Sequence, residues 1–277
     1  MGDVLTERLG SSDFIQKQDI VYEDVLGLHP VFDKIAFGAN LILVGPKGIA
    51  KTLSIASWAN KHGHPIVTFD CSEDVRRTHL IGMSIIRGDE TPFILGAIPT
   101  AIEIANEVGN CVLCLEEINA LTPSVQKMLN PIGDYRRRMD VAECKKVFQL
   151  EPNAKLWLCG TMNTSVYGGV YTLNEDLKSR FRMLPVDYPS KGNETHILKK
   201  VLPSVDKTLV KDLLTLAHET RQKSTAYALS TRDIIQIAED AASCDIQTSL
   251  LLASGKFEDS DRDYFKARVK SIFGIIL

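Results

Sequence analysis

The 277-residue sequence has no apolar run approaching the roughly eighteen residues that a membrane-spanning helix needs, which excludes a transmembrane helix. Its first twenty residues lack the apolar core of a secretion signal, which argues against export. There is little excess charge of either sign: 32 Lys and Arg stand against 35 Asp and Glu, a formal net charge of −3. That near balance argues against a surface coated for non-specific nucleic-acid binding. No internal repeat or low-complexity tract is visible, and the six cysteines form no regular framework. Cys71, Cys111, Cys114 and Cys159 lie in apolar runs, where a thiol behaves as a small hydrophobe. Cys111 and Cys114 have a metal-like spacing, but no second Cys or His pair completes a tetrahedron. His62 and His64, either side of Gly63, likewise lack further ligands at a suitable spacing. A reduced cytoplasmic interior is the plain expectation. Met1-Gly2 with Thr6 fits an acylation pattern, and Asn163-Thr164-Ser165 and Asn193-Glu194-Thr195 fit a glycosylation pattern. The acylation pattern is short enough to arise by chance, and the glycosylation pattern has no meaning in the cytoplasm.

At 44% hydrophobic and 24% charged residues the composition is that of an ordinary globular protein, and the length suits one large domain or two smaller ones. Short apolar runs alternate with helical patterns, the mark of an α/β fold with a mainly parallel sheet. The runs are 41–44, 66–69, 111–115, 156–159 and 183–186, each nearly continuous in hydrophobicity, as in strands buried on both faces. Thr122-Pro123 predicts a capped helix start, with Val125, Met128 and Leu129 on one face. Leu209, Leu213 and Leu216 form a helical stripe, and Ser230-Thr231-Arg232-Asp233 reads as a capping box. After Tyr188-Pro189-Ser190-Lys191-Gly192 only helical patterns remain. The expected division is an N-terminal arm (1–20), an α/β domain (21–190) and a helical domain (191–277). Residues 81–96 and 135–153 interrupt the α/β pattern and read as hairpins.

Directly after the first strand come Gly45-Pro46-Lys47-Gly48-Ile49-Ala50-Lys51-Thr52 and then Leu53. Strand, glycine-bearing loop and helix in that order make a phosphate-binding loop, whose backbone N–H groups and helix N-terminus converge on phosphate oxygens. Lys51 would reach the β- and γ-phosphates and the Thr52 hydroxyl would ligate Mg²⁺. Ala50 stands where the standard pattern has glycine; alanine adds only a methyl group, and the loop is expected to survive if φ there is negative. The third strand delivers Glu116 and Glu117 at its carboxyl end, where open α/β sheets bind ligands. Glu116 takes the place of the metal-binding acid, usually Asp, and Glu117 that of the base that polarises the attacking water.

With these motifs in this order the chain resembles an AAA+ ATPase, and more closely the MoxR-like or dynein-related branch. The likeness runs from about residue 25 to 245. It rests on Gly45 to Thr52, Leu115-Glu116-Glu117-Ile118-Asn119, Gly160-Thr161-Met162-Asn163, Leu177-Lys178-Ser179-Arg180-Phe181 and Leu229-Ser230-Thr231-Arg232. It implies a P-loop NTPase sheet of strand order 5-1-4-3-2 followed by a small helical lid. It also implies that Asn163 is the sensor-1 polar residue and that Arg180 is the arginine finger inserted into a neighbour's site, with Arg182 in reserve. Arg232 would be sensor 2, touching the γ-phosphate from the lid. The two hairpins fall where this branch carries its helix-2 and pre-sensor-1 insertions. Implied with these are ATP and Mg²⁺ as cofactors, a head-to-tail ring of six copies, and a chaperone-like action on a protein client, commonly one with a von Willebrand A domain. Two rivals are a nucleic-acid motor using Arg136, Arg137 and Arg138, and a nucleotide switch without turnover. For that basic cluster an interface or solvated role is preferred over nucleic acid, because the chain as a whole is not basic. Met162-Asn163-Thr164 also resembles the Met-Asn-Thr-x-Asp run of McrB-type GTPases, but Val166 replaces the aspartate, so adenine is preferred over guanine.

Overall fold

The computed structural model describes residues 6–8, 22–163, 171–223 and 226–277. Most of the expected arm, the Met1-Gly2 pattern, Thr164, Ser165 and Val166 lie outside the described residues. Two compact units are present, one within Met1–Gly45 and Lys51–Val186, the other comprising Pro46–Ala50 and Asp187–Leu277.

The first unit begins with β1 (Thr6–Arg8), α1 (His29–Ile35), β2 (Asn40–Val44), α2 (Lys51–Lys61), β3 (Ile66–Asp70) and α3 (Arg77–Ile81). It continues through β4 (Gly82–Ser84), β5 (Phe93–Leu95), α4 (Ala97–Val108), β6 (Asn110–Glu116), α5 (Pro123–Gln126) and α6 (Asn130–Gly133). The hairpin strands β7 (Arg138–Val141) and β8 (Lys146–Gln149), then β9 (Lys155–Met162), α7 (Glu175–Lys178) and β10 (Phe181–Pro185), complete it. A five-stranded, wholly parallel sheet has the order β10-β2-β9-β6-β3. Counted along the chain these strands run 5-1-4-3-2, the order the resemblance implies.

Alternation explains why the runs are apolar throughout. Ile42, Leu113, Leu115, Leu156 and Leu158 face one core with Ile98, Ala101 and Ile102 of α4. On the opposite face Trp157 packs edge-on to Trp58 of α2 at 4.9 Å and against Phe32 of α1 at 5.5 Å. Both indole N–H groups are satisfied, Trp58 donating to Asp33 Oδ1 and Trp157 to the Ala39 carbonyl. The strand thiols belong to this packing; burial pushes Cys111 up to about 12, far from thiolate chemistry at neutral pH.

Register positions everything that follows. Val44 pairs with Met162 and Asp70 with Glu116, so β2, β9, β6 and β3 end along one edge. Glycine 45 continues that alignment, its N–H donating to the Met162 carbonyl at 3.1 Å.

Both interruptions are hairpins, β4–β5 and β7–β8. One strand was not legible: Thr6–Arg8 pairs in parallel with β5, through backbone bonds that leave no hydrophobic alternation in three polar residues. One cap differs from expectation. Thr122 makes no side-chain cap on α5; its hydroxyl lies 3.1 Å from that of Ser124, and the single turn passes at once into a 3-10 turn. Among the described residues no helix is long and apolar enough to cross a membrane.

The second unit carries α8 (Lys191–Val201), α9 (Lys207–Gln222), α10 (Thr231–Ser243), α11 (Ile246–Ser254) and α12 (Asp259–Phe273). Its core gathers Leu198, Leu213, Leu216, Ile234, Phe257 and Phe265. Ser230 and Asp233 form the capping box of α10, and Lys256 and Tyr227 also bind the Asp233 carboxylate. Glu194, 1% exposed, takes a bidentate pair of bonds from Arg221 at 2.9 Å and a third from Thr231 at 2.6 Å. That buried network ties α8, α9 and the first turn of α10 together.

Candidate functional site

β2 delivers Gly45 at the carboxyl edge of the sheet, the loop runs over 46–50, and α2 begins at Lys51. Within the loop Pro46 is half-buried, Lys47 exposed and Ile49 buried; Leu53, on the first turn of α2, is exposed. Gly48 and Ala50 both have left-handed φ, 72° and 63°. The loop thus forms without the negative φ at Ala50 that its tolerance of alanine was expected to require. Closure of the loop dictates the dihedral at its sixth position, and alanine accepts it at a strain of about 1–2 kcal/mol.

At Gly48 no such tolerance exists. Within the second unit a Cβ there would run into the Ser230 hydroxyl and lie 2.5 Å from Ser230 Cβ, so only glycine permits this approach. Gly48→Ala is expected to destabilise the protein by about 2–5 kcal/mol, the sum of left-handed strain and overpacking. Urea unfolding checks this, and Ala50→Gly is expected to shift the midpoint the opposite way, by less.

Lys51 is 8% exposed, and its Nζ donates to the Gly45 carbonyl and to Asn163 Oδ1, both at 3.0 Å. Thr52 Oγ1 donates to Glu116 Oε2 at 2.7 Å, so the extra methylene of glutamate does not keep the carboxylate from the hydroxyl. Asn163 follows β9, and its Nδ2 is buried with no hydrogen-bond partner among the described residues. Glu117, exposed, has a left-handed φ of 50°, a conformation that costs a non-glycine residue energy and clusters at functional sites. Its backbone N–H donates to Thr161 Oγ1 at 3.1 Å. Asn119 Nδ2 donates to the Asn163 carbonyl at 3.2 Å, and its own Oδ1 is buried with no partner among the described residues. The site thus offers a buried ammonium, a hydroxyl facing a carboxylate and an unspent amide donor at one strand edge. That donor set fits a phosphate chain with a hard divalent cation.

Sequence reasoning missed Thr161 and Asn119. A hydroxyl at the carboxyl end of an apolar strand, one residue past Gly160, was the available signal for Thr161. Asn119 lay inside a quoted motif, but its partner is a backbone carbonyl that no spacing reveals.

Arg180 and Arg182 lie apart from this cluster. Arg180 precedes β10, and its carbonyl accepts from Asn40 Nδ2 at 2.9 Å, at the amino end of β2. Gly45 follows the other end of that five-residue strand, about 16 Å away at 3.3 Å per residue. Arg180 also folds back: Nη1 bonds the Asp176 carbonyl, Cδ would contact a Cβ at Gly133 at 3.3 Å, and Nε is buried with no partner among the described residues. Arg182 is exposed on β10 in register with Leu41. Arg232, on the first turn of α10, is exposed and makes no ion pair among the described residues. Lys51, Thr52, Glu116 and Asn163 are brought together with Gly45; Arg180 and Arg182 are not part of that cluster.

The basic cluster is already engaged. Arg136 pairs with Asp134 and holds that carboxyl below the usual range, and Arg138 pairs with Asp140. Arg137 donates to the Ile132 carbonyl and to Asn40 Oδ1 at 2.7 Å, the same asparagine that holds the Arg180 carbonyl.

The chain is similar in sequence and fold to known proteins. A profile of the AAA domain, dynein-related subfamily, matches residues 40–181. YojN of Bacillus subtilis is 27% identical over 259 residues, covering 90% of this chain and 82% of that protein. NorQ of Paracoccus denitrificans is 25% identical over 160 residues, covering 58% and 57% respectively. CbbQ of Hydrogenophilus thermoluteolus is 24% identical over 181 residues, 65% of each chain. A solved structure of a proposed ATPase from Cytophaga hutchinsonii superposes with a TM-score of 0.50 at 18% identity, covering 82% of this chain and 76% of that one, a likeness of fold.

Proposed function

The chain belongs to the dynein-related subfamily of AAA domains, and we propose that it is a magnesium-dependent ATPase of MoxR type that acts as a ring on a protein partner. The observation that carries this reading is the clamp of Lys51 between the Gly45 carbonyl and Asn163, beside the Thr52–Glu116 pair. Magnesium-ATP, when bound there, supplies the phosphoryl group that passes to water. Lys51 and the backbone of residues 45–52 would hold the phosphates, and Thr52 and Glu116 the metal. Glu117 would orient the attacking water, and the free Nδ2 of Asn163 would donate to the terminal phosphate. Arg232 would meet the same phosphate from the helical lid, so that loss of the phosphate releases the lid.

Arg180, at the far end of β2 from its own loop, suits a role in a neighbour's site. A residue acting in trans makes assembly a condition of hydrolysis and favours a closed head-to-tail ring, with six copies the family expectation. The client is proposed to be a protein, with a von Willebrand A domain the first candidate, and the setting cytoplasmic. Nucleic acid is not favoured, since Arg136 and Arg138 are spent on Asp134 and Asp140. Steady-state phosphate release tests the proposal. Magnesium-dependent release from ATP, unchanged by DNA or RNA and abolished in Lys51→Ala, is expected; tight ATP binding with no release above background would favour a switch instead.

A further inference from the structure

Between α8 and α9, wholly inside the helical unit, runs a groove of about 300 Å³. Lys191 and Lys199 rise from one face of α8, eight residues and so about 12 Å apart. Lys207 and Lys211 line the α9 side, one turn apart, and Leu202 and Leu214 help form the floor. Among the described residues the lining holds four lysines, no carboxylate and no aromatic ring. All four lysines are exposed, and none forms an ion pair among the described residues. In a chain of net charge −3 four cations gather here over aliphatic side chains, although Lys207 and Lys211, one turn apart, repel each other.

We propose that this groove docks an acidic amphipathic helix of a partner protein. Apolar anchors would fill the floor, and carboxylates recurring at i, i+4 and i+8 would match the pitch of Lys191 and Lys199, the helix-in-groove mode of recognition. A single-stranded nucleic acid fits less well, since bound bases need aromatic platforms and the lining supplies none. None of these residues belongs to the nucleotide cluster, so the docking site stands or falls independently of ATP hydrolysis.

The test uses the full chain and a fluorescein-labelled amphipathic peptide with one face of leucines flanked by glutamates, followed by anisotropy. Saturable binding is expected in wild type and equally in Lys51→Ala. It should weaken at least about tenfold in the double variant Lys199→Glu with Lys211→Glu, and on replacing the peptide leucines by serine. Should the charge reversals fail to fold, Lys199→Gln with Lys211→Gln gives the same comparison. Undiminished binding by a folded double variant, or equal binding of the leucine-free peptide or of oligothymidylate, overturns the proposal. So does absence of peptide binding together with self-association that the double variant loses, which would assign the groove to a second copy of the chain.

Discussion

Glu117→Gln is expected to lower ATP turnover by about 10²–10⁴-fold while leaving nucleotide affinity within a few-fold of wild type. The amide keeps the size of the side chain and the backbone bond from the Glu117 N–H to Thr161. It removes the charge proposed to orient water and accept its proton. The left-handed backbone at Glu117 is strain retained at one exposed carboxylate, as expected where function rather than packing selects the residue. Single-turnover phosphate release, with retained nucleotide measured by filter binding, separates the two effects. Unchanged turnover would remove Glu117 from its assigned role; loss of binding would mean that the substitution had disturbed the loop and strand edge.

The second large effect concerns Arg180. Its replacement by alanine is expected to reduce turnover by about 10³–10⁵-fold, the range of a trans arginine, with nucleotide affinity nearly preserved in isolated protomers. Position supports this: Arg180 is fixed by Asn40 at the amino end of β2, while the phosphate loop begins past the carboxyl end. Mixing Arg180→Ala with Lys51→Ala protomers should restore part of the activity, because some composite sites combine an intact loop with an intact arginine. Failure to recover at any mixing ratio, with assembly intact, would count against action in trans. Arg182→Ala in parallel decides between the two arginines. Arg137→Ala, by releasing Asn40, should misplace Arg180 and give a smaller loss of the same kind.

Much of this architecture is legible in the sequence because buried parallel strands are written as continuous apolar runs, and the residues just past them are polar for a reason. Gly45, Glu116 and Asn163 each follow such a run, and register brings the three strand ends to one edge. What is not legible depends on closure and on backbone partners. The φ of Ala50 is imposed by the loop, against the preference of alanine. The strand at Thr6–Arg8 exists because β5 offers an edge. The Thr122 cap fails because a neighbouring hydroxyl lies within reach and the helix it begins is one turn long. The Asn40–Arg137–Arg180 arrangement spans residues far apart in the chain, joined through a side-chain amide and a carbonyl that no local spacing encodes.

Isothermal titration of the folded chain with magnesium-ATP tests the central claim most directly. A single saturable site is predicted, at least about tenfold weaker without magnesium and at least about a hundredfold weaker in Lys51→Ala, as loss of a buried charged contact to phosphate requires. No heat of binding in well-folded wild-type protein, or binding of equal strength in Lys51→Ala, would contradict it.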